Sequence, residues 1–289
     1  VKTYEIANKL LEKGLLIGSD IQAIQVAMKL LGFMSNNYLP QCDGKWGKNT
    51  SKAIRTFNWE IFGREEDNTV SYQKISELLL DKNWFKIPFV ENSDEENKKI
   101  VKYIDNQKEV IINEYKIPFD FLRAILWQET GLKHYDLDGF LFVGLDIEED
   151  YKVKSRGWGL GQYTIKNHPP TIEQQKNIIE PLKNLEFVIN HLKEKFKYFC
   201  KTNRVCIYLK DDIQYLRNCK YCIENSLRAT IKLPQANYHP KVQQEGYKDI
   251  PMFNRCDWVL AIERYNGRGS NAIAYRYEVL CKILGREVR

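Results

Sequence analysis

The chain has 289 residues, 43% of them hydrophobic and 28% charged. That is enough apolar material for a buried core and excludes a wholly disordered chain, and at roughly 150 residues per domain the length suggests two units. The 44 Lys and Arg against 38 Asp and Glu leave a net charge of +6 spread along the chain. No clustered basic stripe of the kind that reads nucleic acid stands out, and the balance suits a large anionic partner. No apolar run reaches the ~18 residues of a membrane span. The start at Val1 shows no basic-then-apolar pattern, but removal of a leader or an upstream domain would leave the same start. Tyr and Trp are abundant, and their rings pack in cores and interfaces as readily as they stack on sugars.

The first 85 residues read as three helices. Ile21, Ile24, Met28 and Leu31 recur at helical spacing, and Gly32 closes the first. Asp43-Gly44-Lys45-Trp46-Gly47 is a tight glycine-punctuated loop, after which Asn49 or Thr50 can cap a second helix carrying Ile54, Phe57 and Ile61. The third starts near Ser71 and buries Ile75, Leu78 and Leu79. Taken in order, Ile24-Gln25, Leu31-Gly32-Phe33, the loop from Asp43 to Gly47, and Thr50, Ala53, Ile54 and Phe57 resemble the three-helix peptidoglycan-binding module of cell-wall hydrolases. The resemblance implies a wall-binding role for Asp43, Gly44, Trp46 and Gly47. The module's usual second Asp-Gly turn is replaced by Glu65-Glu66-Asp67-Asn68.

Residues 86–93, with Pro88, Asn92 and Ser93, read as a linker, and 94–289 as a second domain. Ser93 and Glu96 have capping-box spacing and announce a helix that buries Ile100, Val101, Ile104 and Ile111. Pro118 suits the first turn of the next helix, where Phe119, Leu122 and Leu126 form an inward stripe whose next position is Glu129. A carboxyl that continues an apolar stripe is partly desolvated, which raises its pKa, as a general acid for a sugar leaving group requires. Gly131 ends that helix and leaves Glu129 at the mouth of a cleft. Ile178, Leu182, Leu185, Ile189, Leu192 and Phe196 define a later long helix, with His191 a partly exposed helix residue rather than a metal ligand.

Three blocks then fall in family order: Gln128-Glu129-Thr130, Gly157-Trp158-Gly159-Leu160-Gly161-Gln162, and Ala261-Ile262-Glu263-Arg264-Tyr265-Asn266-Gly267 followed by Tyr275 and Val279. Together they resemble the Glu-Ser, Gly-Phe-Gly-Leu-Met-Gln and Ala-x-x-Tyr-Asn-Ala-Gly blocks of lytic transglycosylases and goose-type lysozymes, with Gly161 in place of Met. The resemblance implies a mainly α chain, a three-helix module followed by a lysozyme-like α(+β) domain, that cleaves the MurNAc to GlcNAc bond of peptidoglycan. Glu129 would be the catalytic acid; Gly159, Gln162, Tyr163, Tyr265, Asn266 and Tyr275 would shape the sugar subsites. Plant-type chitinases offer a comparison at Glu129-Thr130-Gly131 and Ser155-Arg156-Gly157. A catalytically silent wall-binding protein is a further alternative.

The attacker stays open. A lytic transglycosylase needs one acid and base group because a hydroxyl of the same muramic acid attacks, whereas a lysozyme-type hydrolase usually needs a second carboxylate. The loop after Glu129 offers Asp136, Asp138, Asp146, Glu148, Glu149 and Asp150, most of them expected to be solvated, with Asp146, Glu148 and Asp150 the candidates for a second acid. Cys200, Cys206, Cys219 and Cys222 cluster in an insertion over about 200–256, with Cys256 and Cys281 beyond and Cys42 as the odd thiol. Action outside the cytoplasm favours disulfides, while Cys200, Cys206, Cys219 and Cys222 could instead hold zinc and free thiols stay open. No cofactor is called for. The expected partner is peptidoglycan, met by a monomer in the periplasm, in the cell wall, or after delivery by a phage or secretion system.

Overall fold

The structure, a computed structural model, describes residues 2–35, 40–63, 69–115, 117–148, 151–200, 261–262, 265–266, 270–283 and 285. It is mainly helical with one small sheet. In chain order the elements are α1 (Thr3–Lys13), α2 (Ile21–Leu30), α3 (Lys48–Phe62), α4 (Tyr72–Leu80), α5 (Ser93–Asn106), α6 (Lys108–Asn113), α7 (Phe119–Thr130), β1 (Val143–Ile147), β2 (Val153–Trp158), β3 (Tyr163–Ile165), α8 (Ile172–Ile179), α9 (Pro181–Cys200) and α10 (Ser270–Ile283). The chain divides into two compact units, Val1–Lys102 with Lys133–Leu185, and Tyr103–Leu132 with the residues from Glu186 onward.

In the first unit, α1 precedes the three expected helices and buries Ile6, Ala7 and Leu10 against α2 and α4. Asp20 caps α2 through the Ala23 amide, and Gly32, at φ +78°, ends it. The Phe33 and Gly32 amides return to the Met28 and Lys29 carbonyls, the paired bonds of a Schellman end. Neither Asn49 nor Thr50 caps α3; Gly47 holds that position, and Thr50 is buried inside the helix. Thr50 belongs instead to a cluster around the buried Gln25, whose amide nitrogen donates to Asp43 Oδ1, the Lys45 carbonyl and Thr50 Oγ1, each at 3.0 Å. Its oxygen accepts the Gly44 amide at 2.9 Å. The motif residues Gln25, Asp43, Gly44, Lys45 and Thr50 are thus one hydrogen-bonded knot that folds the loop onto α2 and α3.

Residues 86–93 are not a free linker. Ile87 is buried and donates its amide to the Leu30 carbonyl at 2.8 Å, and Pro88 and Val90 bond the backbone of Leu141 and Gly139. The cap of α5 is Asn92 rather than Ser93: Asn92 accepts the Glu95 amide at 3.2 Å and its own amide group reaches the Glu95 carboxylate at 3.4 Å. The helix then breaks at Gln107, so Ile111 lies on α6, and Ile100 and Val101 are only half-buried. β1, β2 and β3 pair antiparallel in that order, with a bulge between Asp146 and Ile147. The long helix expected around Leu182 is two. Pro181, which has no amide to continue α8, starts α9 afresh, and Leu182 is left exposed while Ile178, Leu185, Ile189 and Leu192 are buried.

One charged group joins the three-helix segment to residues 133–142. Lys29, on the all-round buried part of α2, ion-pairs with Asp136 and, at 2.8 Å, with Asp138, and each of the three side chains is at most 5% exposed. Burial works against the Lys29 charge, but Asp136 and Asp138 outweigh it and hold the ammonium above the ordinary lysine range. The carboxylates are also saturated. Asp136 Oδ1 accepts the Asp138 and Phe140 amides, and Asp138 accepts those of Gln41 and Cys42. These two acids, from a run of six of which most are expected to be solvated, are structural. Removing the ammonium alone strands both, so Lys29→Met is expected to destabilise the fold by about 3–5 kcal/mol in urea denaturation, and the triple variant with Asp136→Asn and Asp138→Asn to recover most of that loss.

Candidate active site

Pro118 opens α7 and Gly131, at φ 68°, closes it, its amide returning to the Leu126 and Trp127 carbonyls. Between them the helix is buried on nearly every side: Phe121, Ala124 and Ile125 are covered as fully as Phe119, Leu122 and Leu126, and only Asp120 and Trp127 are exposed. This is broader than the one-sided stripe that the spacing predicts. It explains why a carboxyl near the end of α7 is poorly hydrated. α10 packs along α7 and brings Tyr275, 6% exposed, over Glu129, with its hydroxyl donating to Oε1 at 2.6 Å. The Tyr265 ring stacks on that of Tyr275 with centroids 6.2 Å apart, and His191 of α9 meets Tyr265 edge-on at 4.9 Å. His191 in turn lies flat on Phe187, one turn earlier in α9, and hydrogen-bonds the Tyr265 backbone.

The electrostatics follow from that enclosure. Burial pushes the Glu129 carboxyl above the usual range, and the Tyr275 hydrogen bond, which favours the carboxylate, opposes it only in part. No cation and no second carboxylate enters the balance among the described residues. Burial and then the Glu129 charge hold the Tyr265 and Tyr275 hydroxyls well above the ordinary tyrosine range, so both stay protonated at neutral pH. A carboxyl that keeps its proton, with a fixed hydroxyl beside it, can donate that proton to a leaving oxygen. Asn266 is exposed in the turn after Tyr265; Gly267, Glu263 and Arg264 lie outside the described residues.

The remaining expected site residues belong to the first unit. Gly159 and Gln162 bracket the turn between β2 and β3, and Tyr163, half-buried, pairs with Trp158 across it. Gly159 is needed for the fold itself: it sits at φ +65°, and a Cβ there would come within 2.7 Å of His134 and 2.8 Å of Asn184. Those two buried side chains hold the turn, His134 Nδ1 accepting the Leu160 amide at 3.2 Å and Asn184 Oδ1 accepting that of Gly161 at 3.2 Å. Because Nδ1 accepts, His134 Nε2 carries the proton and donates to the Ile179 carbonyl at 2.9 Å. Gln162 folds back over the sheet: its amide donates to the Gly159 carbonyl, and its oxygen occupies the space that a Cβ on Gly144 or Gly157 would fill. Arg156, of the chitinase-like triplet, is buried and bonded to Glu60 at 2.7 Å and the Gly32 carbonyl at 3.2 Å, so it serves packing. Asp146 is exposed on β1, and Glu148 faces Lys154 at 3.5 Å.

The structure therefore brings Glu129, Tyr265 and Tyr275 together in one unit, and Gly159, Gln162, Tyr163, Asp146 and Glu148 in the other. Asp150, Cys206, Cys219, Cys222, Cys256 and the side chain of Cys200 lie outside the described residues, as do the pairing and zinc alternatives that depend on them. Cys42 is a buried thiol, and Cys281 is buried on α10. Sequence reasoning missed His134, Asn184 and the tie of His191 to Tyr265. Spacing carries no mark of them, since each acts across elements distant in the chain.

Two titrations check these environments. Removing the Tyr275 hydroxyl withdraws a bond that favours the carboxylate, so Tyr275→Phe is expected to move the Glu129 titration, read by carboxyl 13C NMR, to higher pH. His134 is pushed down to about 4 by burial against an ordinary value of 6.5. The unfolded chain therefore binds the extra proton first; the stability due to neutral His134 is complete above pH 6.5 and is lost as pH falls towards 4, a change of about 3 kcal/mol. Urea midpoints at several pH values are expected to show that slope, and His134→Gln to remove its share.

Compared with known proteins, the chain matches no protein-family model, no curated protein and no solved structure.

Proposed function

We propose that this protein degrades peptidoglycan, cleaving the MurNAc to GlcNAc bond as a lytic transglycosylase with Glu129 as acid and then base. The observation that carries the reading is the enclosed Glu129 carboxyl, held by the Tyr275 hydroxyl, with burial and that bond as the only described influences on its proton. In the proposed reaction the Glu129 proton passes to the glycosidic oxygen, the bond from muramic C1 to that oxygen breaks, and GlcNAc leaves with its hydroxyl restored. The C6 hydroxyl of the same muramic acid then bonds to C1 and yields its proton to the Glu129 carboxylate, giving a 1,6-anhydro end without consuming water. One carboxyl suffices because the attacking hydroxyl is already held on the bound sugar at high effective concentration.

The sequence blocks support the finer architecture of a peptidoglycan-binding module followed by a lysozyme-like catalytic domain, acting outside the cytoplasm. The loop from Asp43 to Gly47 offers a wall contact: the Trp46 ring is 40% exposed and its indole nitrogen donates to Ser51 at 3.0 Å, which fixes an aromatic face towards solvent. Because Lys29 ties residues 1–85 to Asp136 and Asp138, the proposed wall-binding role is assigned to the first unit as a whole.

Mass spectrometry of digested muropeptides tests the reaction. Anhydro-muramic ends, one water lighter than reducing ends, are the expected product, and Glu129→Gln is expected to lower the rate by about 10²–10⁴-fold with an unchanged circular dichroism spectrum. Reducing ends alone would make the protein a muramidase. Intact walls after treatment with folded wild-type protein would leave a wall-binding protein without activity.

A further inference from the structure

Gln128 precedes Glu129 on α7, and both ends of its amide are engaged by α10. Its nitrogen donates to the Glu278 carboxylate, and its oxygen accepts from the Lys282 ammonium. Tyr275, Glu278 and Lys282 stand at i, i+3 and i+7 of α10, so they share the face that meets α7. A carboxylate at one end and an ammonium at the other allow the amide a single orientation, because the reversed one would set oxygen against carboxylate and NH₂ against ammonium. The bracket fixes the sliding position of α10 along α7 within one turn of the Tyr275 to Glu129 bond.

We infer that Gln128, Glu278 and Lys282 are positioning residues that hold the Tyr275 hydroxyl on the Glu129 carboxyl. A bond of 2.6 Å between side chains on two helices survives only if the helices keep their register, and apolar packing around it tolerates small slides that a two-ended polar bracket does not. The bracket carries one anion and one cation, so it adds register without changing the net charge beside the acid. Among the described residues the other charged groups near α7 are Lys108 of α6 over Phe119, Asp105 of α5 paired with Arg123 at 2.9 Å, His191 of α9 against Tyr265, and the buried Arg276 next to Tyr275 on α10. The catalytic consequence rests on the proposed cleavage; the positioning itself does not.

The test reads the Glu129 titration by carboxyl 13C NMR, assigned through Glu129→Gln, alongside kcat and KM on purified glycan strands. Gln128→Met keeps the size and removes both bonds. It is expected to move the Glu129 midpoint by about half a pH unit and to lower kcat by about tenfold with KM little changed. Glu278→Lys and Lys282→Glu singly set like charges on both ends of the amide and are each expected to lower kcat by about tenfold. The double variant Glu278→Lys/Lys282→Glu lets the amide turn over and remake both bonds, so kcat is expected to recover to within about threefold, while the Glu129 midpoint falls because a cation now lies one turn from Tyr275. An unchanged midpoint in folded Gln128→Met, or a double variant no better than the worse single one, would overturn the inference. Wild-type protein that cleaves nothing would remove the proposed function and leave the titrations to decide the bracket.

Discussion

The ammonium of Lys29 is the constraint on which the first unit depends. A lysine inside the apolar run of α2 must either lose its proton or find anions, and residues 133–142 supply two, each already fixed by backbone amides. Much follows from that requirement. The loop carrying Asp136 and Asp138 has to close against α2, which brings the strand-like stretch from Pro88 to Val90 alongside Gly139 to Leu141. It also lines up His134, whose ring then supports the turn between β2 and β3. A buried pair of this kind adds little net stability compared with apolar packing, but it is unforgiving of misplacement, so its main effect is to specify one arrangement.

Glu129, half-buried at the end of α7, meets no cation among the described residues that shifts its proton. Burial raises its pKa, the Tyr275 hydrogen bond opposes that rise only in part, and no opposite charge compensates the burial among the described residues. Lys29 and Glu129 are therefore two outcomes of one rule. Where partners of opposite sign are provided, a buried charge becomes a structural joint; where they are not, burial shifts the group's pKa towards its neutral form. Glu278 and Lys282 of α10 are in turn tied to each other through Gln128.

Several features could be read directly from residue order because their causes are local. Gly32 and Gly131 end their helices since each must take a positive φ, and the spacing of Ile75, Leu78 and Leu79 describes a helix face wherever that helix packs. The knot of Gln25, Asp43, Gly44 and Thr50 left a legible trace because all its members are close in the chain and each needs a particular side chain. Two errors were also local in origin. Asn92 rather than Ser93 caps α5, as both residues can accept an amide at that bend, and Pro181 divides a stripe whose apolar spacing continues straight through it.

Residue order is enough for the helical character, for several helix ends, and for Glu129 as a carboxyl continuing an apolar helix. Which acids are buried with a partner and which are exposed emerges only once distant segments pack together. Asp136, Asp138 and Asp146 look alike in a loop of six acids, yet two are locked to Lys29 and the third is exposed on β1. Likewise, nothing in residue order says that Tyr275, 146 positions away, reaches Glu129. The physical reason is that a titratable group is defined by its desolvation and its nearest charges, and both are set by elements brought together from distant parts of the chain.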